Sequence, residues 1–386
     1  MTQYFSTGFK LGILGGGQLG KMLLQETRKF DIQTYVLDPS EEAPSRFACN
    51  HFEQGSLQDF DTVYSFGQHV DVLTFEIETI NVEALEKLES EGVKVYPSPQ
   101  TLRVIQDKGK QKNFYAEKGI PTSPFSVYND LKTLKKDLKT GKISLPFVWK
   151  STQGGYDGKG VKIVKNENDL DQLPDTACLA ENLIPFKNEL AVIVVRNPNG
   201  AVKTYPVVEM EFHPEANQVE YVICPARIPD AVAEKARKVA QKVSDAFEHV
   251  GLLAVELFQT EDDEILVNEV APRPHNSGHY SIEGSFTSQF ENHLRAILNL
   301  PLGNTESKVG AVMVNLVGAE NHEGPVNYKN IADILEMDGV TPHIYGKKLT
   351  RPFRKMGHVT IVNKDLGEAR KIAEKVKRTI KVIASP

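Results

Sequence analysis

The sequence predicts a mixed α/β and α+β protein: an open parallel α/β domain, a larger α+β region and a small third domain. Three stretches lead to this prediction. Strands and helices alternate over residues 1 to about 100, a glycine-rich hairpin lies at 150–161, and two strands that carry glutamates form a hairpin at 252–270. Alternating strands and helices are typical of a parallel sheet, whereas hairpins pair antiparallel strands.

Length and composition set the broad class. At 386 residues the chain exceeds the size at which a single core stops growing, so two or three domains are expected. The net charge of −6 argues against a nucleic-acid or membrane-surface partner. Cys49, Cys178 and Cys224 are widely spaced, which predicts buried thiols and no disulfide framework. No apolar run of membrane-spanning length and no leader pattern occur, so a cytoplasmic protein is expected.

The first domain begins with a strand, a glycine turn and a helix. Residues 11–14 are apolar, Gly15, Gly17 and Gly20 follow, and a second strand ends at Asp38. This is the dinucleotide fingerprint, so a nicotinamide-dependent dehydrogenase is an alternative. Any phosphate-bearing ligand can use such a turn, however. Further strands are predicted at 71–75 and 93–96, with helices at 58–67 and 82–91.

Polar residues follow the strands of this domain at the edge where ligands bind. Gln18 comes after the first strand, and Glu76 and Glu78 come after strand 71–75. Glu76 and Glu78 share one face of an extended stretch, so both could face a substrate. For Glu76 an exposed acidic strand end is an equal alternative, while Glu78 is favoured as a functional residue.

The central hairpin joins strands 146–149 and 161–164 through a tip with glycines at 154, 155, 158 and 160. Glycines let the backbone approach a ligand, and consecutive N–H groups can cradle phosphate oxygens. Lys150 and Lys159 add positive charge at the two ends of the tip. Nucleotide phosphate binding by a mobile tip is therefore favoured over a solvated turn. The motif is not a P-loop, since no helix follows it.

A helix pair at 101–118 leads into this hairpin, and a strand running into a connecting segment follows at 178–189. Such a segment can present backbone groups to an adenine edge and a carboxylate to ribose hydroxyls. Strands are predicted next at 190–195, 202–208 and 219–223. A long amphipathic helix is predicted over 230–250.

Glu256 and Glu269 lie on the two strands of the hairpin 252–270, each among apolar residues. Two close carboxylates repel each other and are costly to bury unless a cation lies between them. With Asn268 they supply three hard oxygen donors suited to Mg²⁺ bound jointly with nucleotide phosphates. The alternative is two solvent-facing glutamates at a sheet edge.

Two polar segments follow. The loop 271–280 brings together Arg273, His275, Asn276 and His279 next to the predicted metal. The third domain is predicted to contain strands near 311–316, 343–345 and 358–362 and a helix from about 366. Five cations within 346–355 indicate either an anion clamp or a solvated hairpin.

Taken together, the phosphate hairpin, the connector and the carboxylate pair resemble the ATP-grasp ligases. The motifs Gly-Gly-Gly-Gln-Leu-Gly, Gly-Gly-Tyr-Asp-Gly-Lys-Gly and Asn-Glu-x-Ala-Pro-Arg-Pro-His-Asn-Ser-Gly-His resemble, in this order, those of the N5-carboxyaminoimidazole ribonucleotide synthetase family. The resemblance covers essentially the whole chain. It implies a biotin-carboxylase-N-like substrate domain at 1–106, an ATP-grasp domain at 107–305 with a hinge near 181–189, and a C-terminal domain at 306–386.

The resemblance also implies a reaction. 5-Aminoimidazole ribonucleotide, bicarbonate and ATP would give N5-carboxyaminoimidazole ribonucleotide, ADP and phosphate through carboxyphosphate, with Mg²⁺ (or Mn²⁺ in its place) and a homodimer. The alternatives are another ATP-grasp ligase, of the formate-dependent glycinamide ribonucleotide transformylase or biotin carboxylase type, or a non-catalytic ATP-binding module. The amine proton would leave to Asp157 or to a histidine of the loop 275–279, and either carboxyphosphate or free CO₂ would be the carboxylating species.

Site residues carried over from the family fall into four groups. Those implied to hold the nucleotide are Arg103, Lys108, Lys150, Gly155, Tyr156, Asp157, Gly158, Lys159, Gly160, Glu181, Asn182, Leu183, Ile184, Glu189, His213, Asn268 and Glu269. Those implied to hold the metal are Glu256, Asn268 and Glu269. Those implied to bind the ribonucleotide are Gln18, Leu19, Glu78, Tyr156, Arg273, Lys348, Arg351 and Arg354. Those implied in catalysis are Asp157, Lys159, Arg273, His275 and Asn276.

Overall fold

The N-terminal part is an open sheet of five parallel strands, whose order across the sheet is 51–54, 33–38, 10–14, 72–75 and 94–95. The computed structural model describes residue 4 and residues 8–154, 160–213 and 218–385. The first elements are β1 (Lys10–Leu14), α1 (Gln18–Lys29), β2 (Gln33–Asp38), β3 (His51–Gln54), α2 (Phe60–Gly67), β4 (Val72–Phe75), α3 (Val82–Ser90) and β5 (Lys94–Val95). The predicted parallel α/β architecture is confirmed. Strand β3 was not predicted because it is a largely exposed, polar edge strand.

Two short helices lead out of this sheet, as predicted, at α4 (Pro99–Ile105) and α5 (Lys108–Glu117). Each begins at a polar side chain. Ser98 accepts a hydrogen bond from the amide of Thr101, and Asp107 accepts one from the amide of Lys110. Such caps satisfy amides that have no partner inside a helix. The cap at Asp107 fixes the start of α5, the helix that carries Lys108.

A small antiparallel sheet follows, with the strand order β6-β9-β7-β8. Its elements are β6 (Phe125–Tyr128), α6 (Leu131–Lys139), β7 (Phe147–Ser151), β8 (Val161–Val164), a 3₁₀ helix (Glu167–Gln172) and β9 (Cys178–Asn182). Strands β7 and β8 form the predicted hairpin, with Lys150 opposite Val161. The predicted mobile tip, residues 155–159, lies outside the described residues.

The second sheet of this region is larger and comprises, within the described residues, nine strands; their order across the sheet is 265–271, 251–260, 186–196, 208–212, 219–224, 310–317, 355–363 and 340–344, with 202–204 beside 186–196. Its first part comprises β10 (Phe186–Arg196), β11 (Val202–Thr204), β12 (Val208–Phe212), β13 (Val219–Cys224), α7 (Asp230–Phe247), β14 (Gly251–Thr260) and β15 (Ile265–Ala271). The single strand predicted at 202–208 is two strands, since Pro206 lacks the N–H donor that a continuous ladder requires. Helix α7 ends earlier than predicted because Glu248 adopts a left-handed φ of 48°.

The C-terminal strands continue this same sheet. The elements are α8 (Ser281–Gly284), α9 (Gln289–Ile297), β16 (Gly310–Val317), β17 (Gly324–Lys329), α10 (Ile331–Leu335), β18 (Val340–Ile344), β19 (Leu349–Thr350), β20 (Lys355–Asn363), α11 (Leu366–Thr379) and β21 (Lys381–Ala384). Strand β16 pairs with β13 on one side and with β20 on the other. The sheet is therefore continuous across residue 306. Strands β19, β17 and β21 form a separate three-stranded sheet.

Helix α7 covers one face of the large sheet and completes its core. Ala236, Ala240 and Val243 of α7 pack against buried residues of β10 and β14, among them Val192 and Val255. Burying such side chains is worth about 1.5–3 kcal/mol each for valine-sized and larger groups. This packing fixes β14, the strand that carries Glu256.

The three cysteine thiols are free, with Cys178 and Cys224 buried and Cys49 half-buried. Among the residues that the structure describes, none of the helices is both long enough and apolar enough to cross a membrane.

Candidate functional site

The predicted carboxylate pair is formed. Glu256 on β14 lies directly opposite Glu269 on β15, but the next pair in register is Leu257 with Val267. Asn268 is therefore an extra residue, a β-bulge, in β15. A regular strand would point Asn268 and Glu269 to opposite faces, whereas a bulge lets neighbouring side chains share one face. Accordingly both side chains bond to lysines of the site.

Those lysines come from two other elements. Lys108 at the start of α5 donates to Glu269 Oε2 at 2.6 Å, and Lys150 at the end of β7 donates to Asn268 Oδ1 at 3.1 Å. Lys108 lowers the pKa of Glu269, whereas desolvation and the charge of Glu269 raise the pKa of Glu256. Glu269 therefore stays ionised, whereas ionising Glu256 in this site costs free energy.

This arrangement suits a divalent cation. Two carboxylates and an amide oxygen are hard donors, and a cation between them would remove the repulsion that raises the pKa of Glu256. Within the described ranges, no group of three or more His, Cys, Asp or Glu side chains could hold a metal by itself. A cation held by these donors would share its coordination with a bound ligand, and the metal site stays a prediction.

Beside the pair lies a buried network that the sequence revealed only in part. Glu181 on β9 is 3% exposed and lies 3.2 Å from Lys150 Nζ and 3.3 Å from Lys112 Nζ, and Ser123 donates to it at 2.8 Å. Lys112 is not among the site residues expected from the sequence. The side chain of Glu181 is thus taken up by lysines, so an adenine contact from this residue would have to come from its backbone.

Connector residues link the small sheet to the large one. Strand β9 ends at Asn182 and β10 begins at Phe186. Asn182 and Leu183 are exposed and Ile184 is half-buried. Glu189 lies further along β10, where desolvation raises its pKa to about 7. The predicted connector is confirmed as a structural element, and its contacts with adenine and ribose stay predictions.

The donor-rich loop after β15 touches both the carboxylate pair and the N-terminal domain. His275 Nε2 lies 3.4 Å from Glu256 Oε1, and its Nδ1 lies 2.9 Å from the Ser277 hydroxyl. Arg273 Nε lies 2.8 Å from Glu78 Oε1. Asn276 faces the large sheet instead, and its amide pairs with the amide of Asn315.

The second histidine of that loop is not available as a proton acceptor. His279 is 1% exposed, Gln289 lies 3.0 Å from its Nδ1, and its ring stacks on His358. Desolvation lowers the pKa of His279 well below its usual value. Of the histidines considered for the amine proton, His275 is therefore the one that faces the site.

Gln18 and Leu19, which are predicted to bind the ribonucleotide, lie in different surroundings in the first domain. Gln18 is the first residue of α1, at the edge of the sheet where Glu78 also lies. Leu19 is 7% exposed and packs in the core with Met22 and Leu23, so the predicted ribonucleotide contact from this residue would have to come from its backbone.

Cations of the segment 346–355 lie across from the first domain. Lys348 Nζ lies 2.7 Å from Glu42 Oε1, Arg354 donates to the carbonyl of Leu349, and Arg351 is exposed. Lys355 is not among the individually predicted site residues, although its charge is close enough to lower the pKa of Glu256. The run of five cations was the signal for it.

Two predicted nucleotide residues make contacts elsewhere. Arg103 forms ion pairs with Glu83 and Glu86 of α3, and the His213 ring lies edge-on to Phe353. Their nucleotide contacts stay predictions. Gly160 has a φ of 75°, which favours glycine. The other predicted residues of the hairpin tip lie outside the described residues, namely Gly155, Tyr156, Asp157, Gly158 and Lys159.

Family models match three consecutive parts of the chain. A ribonucleotide synthetase preATP-grasp domain matches residues 9–106, an ATP-grasp domain matches 113–290, and a phosphoribosylaminoimidazole carboxylase C-terminal domain matches 311–372. These three matches follow the same order as the three predicted regions.

Individual proteins are also similar. A phosphoribosylaminoimidazole carboxylase of Candida albicans is 40% identical over 375 residues, which are 93% of this chain and 65% of that protein; the chain thus spans about two thirds of that relative's length. The structure of N5-carboxyaminoimidazole ribonucleotide synthetase from Thermotoga maritima is 42% identical, with a TM-score of 0.89 over 98% of this chain and all of that one. An Aspergillus clavatus N5-carboxyaminoimidazole synthase in complex with ADP and 5-aminoimidazole ribonucleotide is 34% identical, with a TM-score of 0.87 over 96% of this chain and 98% of that one.

Proposed function

Because the chain belongs to the N5-carboxyaminoimidazole ribonucleotide synthase family, a family of ATP-grasp ligases in purine biosynthesis, we propose that it joins bicarbonate to 5-aminoimidazole ribonucleotide at the expense of ATP. The products are N5-carboxyaminoimidazole ribonucleotide, ADP and phosphate. The contact between Arg273 and Glu78 carries this proposal, since it joins the loop beside the carboxylate pair to the domain expected to hold the ribonucleotide.

ATP would lie between the two sheets, with its adenine at the connector and its phosphates at Lys108 and Lys150. Lys108 donates to a carboxylate oxygen of β15 at 2.6 Å, and Lys150 donates to an amide oxygen of the same strand at 3.1 Å. Both ammonium groups therefore already point to the region where phosphate oxygens would lie. Transfer to phosphate oxygens would replace one charge-assisted bond by another. Positioning and charge neutralisation are the main demands of phosphoryl transfer.

Mg²⁺, or Mn²⁺ in its place, would be held by Glu256, Asn268 and Glu269. When bound, the metal would neutralise charge on the transferring phosphoryl group. The chain itself contributes the bulge that aligns Asn268 with Glu269, and Lys108, which keeps Glu269 ionised.

Bicarbonate would be activated next to His275 and Arg273. Its oxygen attacks the γ-phosphorus, the bond from phosphorus to the β-phosphate oxygen breaks, and ADP leaves with formation of carboxyphosphate. The exocyclic amine then bonds to the carboxyl carbon, either of carboxyphosphate or of CO₂ released from it, and phosphate leaves. His275 or Asp157 would take the amine proton. Of the loop histidines, His275 is the one that lies beside the carboxylate pair, with its Nε2 3.4 Å from Glu256 Oε1.

Phosphate release with different acceptors tests the proposal. We expect release with 5-aminoimidazole ribonucleotide and bicarbonate together, and a strong decrease when either is withheld. Glycinamide ribonucleotide with formate, and biotin with bicarbonate, serve as controls for the alternative ATP-grasp ligases. Release supported by a control acceptor and not by aminoimidazole ribonucleotide would contradict the proposal.

A homodimer and a cytoplasmic location complete the proposal, on the resemblance to the family. Light scattering of the eluting protein during size-exclusion chromatography would measure the mass of the assembly, and a monomer would contradict the first part.

A further inference from the structure

The glycine turn after β1 has amides that are already occupied. The Gly17 amide donates to Glu76 Oε1 at 2.6 Å, and the Gly20 amide donates to Glu76 Oε2 at 2.8 Å. The Gly16 amide donates to Asp38 Oδ2 at 2.7 Å. In a dinucleotide-binding fold, amides of this turn and the start of the following helix receive a pyrophosphate. Here carboxylates of the same chain take that place.

The turn needs glycines because a side chain at these positions would clash with Glu76. A Cβ on Gly17 would lie 2.5 Å from Glu76 Oε1, and a Cβ on Gly15 would lie 2.7 Å from Glu76 Cγ. Gly15 also has a φ of 96°, which side chains disfavour. The space that the absent side chains leave is thus filled by Glu76. The alternative of Glu76 as an exposed strand end is wrong.

Glu76 also connects the turn to the substrate edge of the domain. It directly follows β4, and two residues later Glu78 meets Arg273 at 2.8 Å. Gln18 lies between the two glycines that donate to Glu76. The turn that carries Gln18 is therefore bonded to the residue two positions before Glu78, so Glu76 links the segments that carry both groups expected to face the aminoimidazole. The Glu76 side chain is half-buried, and desolvation raises the pKa of its carboxyl to about 7.

We propose that Glu76 is a positioning residue and a specificity determinant, an internal anionic ligand of the turn. It holds Gln18 and Glu78 at their places for the ribonucleotide, and it excludes the pyrophosphate of a dinucleotide from the turn. The first part deepens the proposed function and rests on it. The second part stands without it.

Glu76→Ala tests the first part, with Asp71→Ala as a matched control. Asp71 accepts a hydrogen bond from the Lys10 amide at 2.8 Å, at the opposite ends of the same two strands. For Glu76→Ala we expect the KM for aminoimidazole ribonucleotide to rise at least tenfold, while the KM for ATP stays within twofold. Formate at millimolar concentration should fill the space and lower the raised KM in a saturable manner. Asp71→Ala should show neither effect. An unchanged KM, an equal ATP defect, or no response to formate would overturn the positioning role.

Thermal shift with sodium pyrophosphate tests the second part and requires no activity. Pyrophosphate should raise the Tm of Glu76→Ala by several degrees more than that of the wild-type protein or Asp71→Ala. An equal shift in all three proteins would overturn the exclusion role. If Glu76→Ala does not fold, Glu76→Gln decides, since it keeps the shape but can accept only one of the two amide bonds. A wild-type KM for the ribonucleotide in Glu76→Gln would then overturn the proposal. If the wild-type enzyme does not use aminoimidazole ribonucleotide, the proposed function fails and the pyrophosphate result still stands.

Discussion

Replacing Glu181 by glutamine tests whether the buried charges beside the carboxylate pair act as one unit. The Glu181 carboxylate is shared by Lys112 and Lys150, whose Nζ atoms lie 3.3 and 3.2 Å away. Glutamine preserves the shape and can still accept the hydrogen bond from Ser123. It removes the charge, so two poorly solvated ammonium groups lose their common counter-ion.

Lys112 can lose its proton, and this limits the loss in the free energy of unfolding that the substitution causes. Desolvation lowers the pKa of Lys112 from 10.5 to about 8 even with Glu181 present. Without the carboxylate this pKa falls further, and at pH 7 Lys112 can release its proton instead. That release costs about 1 kcal/mol, since one pKa unit corresponds to ~1.4 kcal/mol. Lys150 loses a charge-assisted bond worth ~1.5–3 kcal/mol. We expect a total loss in the free energy of unfolding of about 3–4 kcal/mol at pH 7.

The loss depends on pH with a definite sign. Lys112 has a lower pKa in the native state than in the unfolded state, so the unfolded state binds more protons between those values. Stability therefore rises with pH from about 8 to 10.5 in the wild-type protein. In the variant this rise begins at lower pH, because the native pKa of Lys112 is lower still. The difference between the two proteins should shrink to about 2 kcal/mol at pH 9.

Urea denaturation at pH 7 and pH 9 measures both values. Glu209→Gln is the matched control, because Glu209 is also buried at 7% exposure but pairs with Arg227, which does not titrate in this range. Its loss should be the same at both pH values. The reasoning is refuted if Glu181→Gln loses less than about 1 kcal/mol at pH 7, or if its loss does not change by pH 9.

Three further predictions concern activity. Glu269→Gln removes the charge that faces Lys108 and should reduce ADP formation by on the order of a hundredfold or more, measured with varied Mg²⁺; near-wild-type turnover at limiting Mg²⁺ would contradict the metal assignment. Arg351→Ala should raise the KM for aminoimidazole ribonucleotide by tens-fold, since loss of a phosphate contact costs roughly 2 kcal/mol; a defect confined to ATP would contradict this. Glu42→Ala frees Lys348 from an exposed ion pair worth up to about 1 kcal/mol, so it should lower that KM by no more than about fivefold, and a raised KM would show that the pair supports binding.

Local patterns were sufficient to predict the central features of the site. Apolar residues flank Glu256 and Glu269 in two neighbouring strands, and a tight hairpin brings such positions opposite each other. The parallel sheet followed in the same way from the alternation of strands and helices. Glycine spacing identified the turn after β1, but it could not show whether a ligand or a side chain of the chain itself fills that turn.

Features that depend on long-range packing were not predictable. The bulge at Asn268 leaves no mark on the hydrophobic pattern, because a one-residue shift in register is determined by both strands together. Lys112 comes to Glu181 only once α5 packs against β9, because the two residues are 69 positions apart in the sequence (181 − 112). The division of the predicted strand 202–208 into two strands was predictable, by contrast, because its cause, Pro206, is visible in the sequence.

The continuity of the large sheet has a consequence for how the chain can be divided. Strand β13 pairs with β12 on one side and with β16 on the other, so a cut after residue 305 would strip one side of β13 of its partner. Tyr221 and Ile223 would lose their cover from Val312 and Val314. An unpaired apolar strand of this kind recruits strands of other molecules. The last eighty or so residues therefore cover this strand edge and prevent strand-to-strand aggregation, and the chain is expected to be expressed and to unfold as one piece with them.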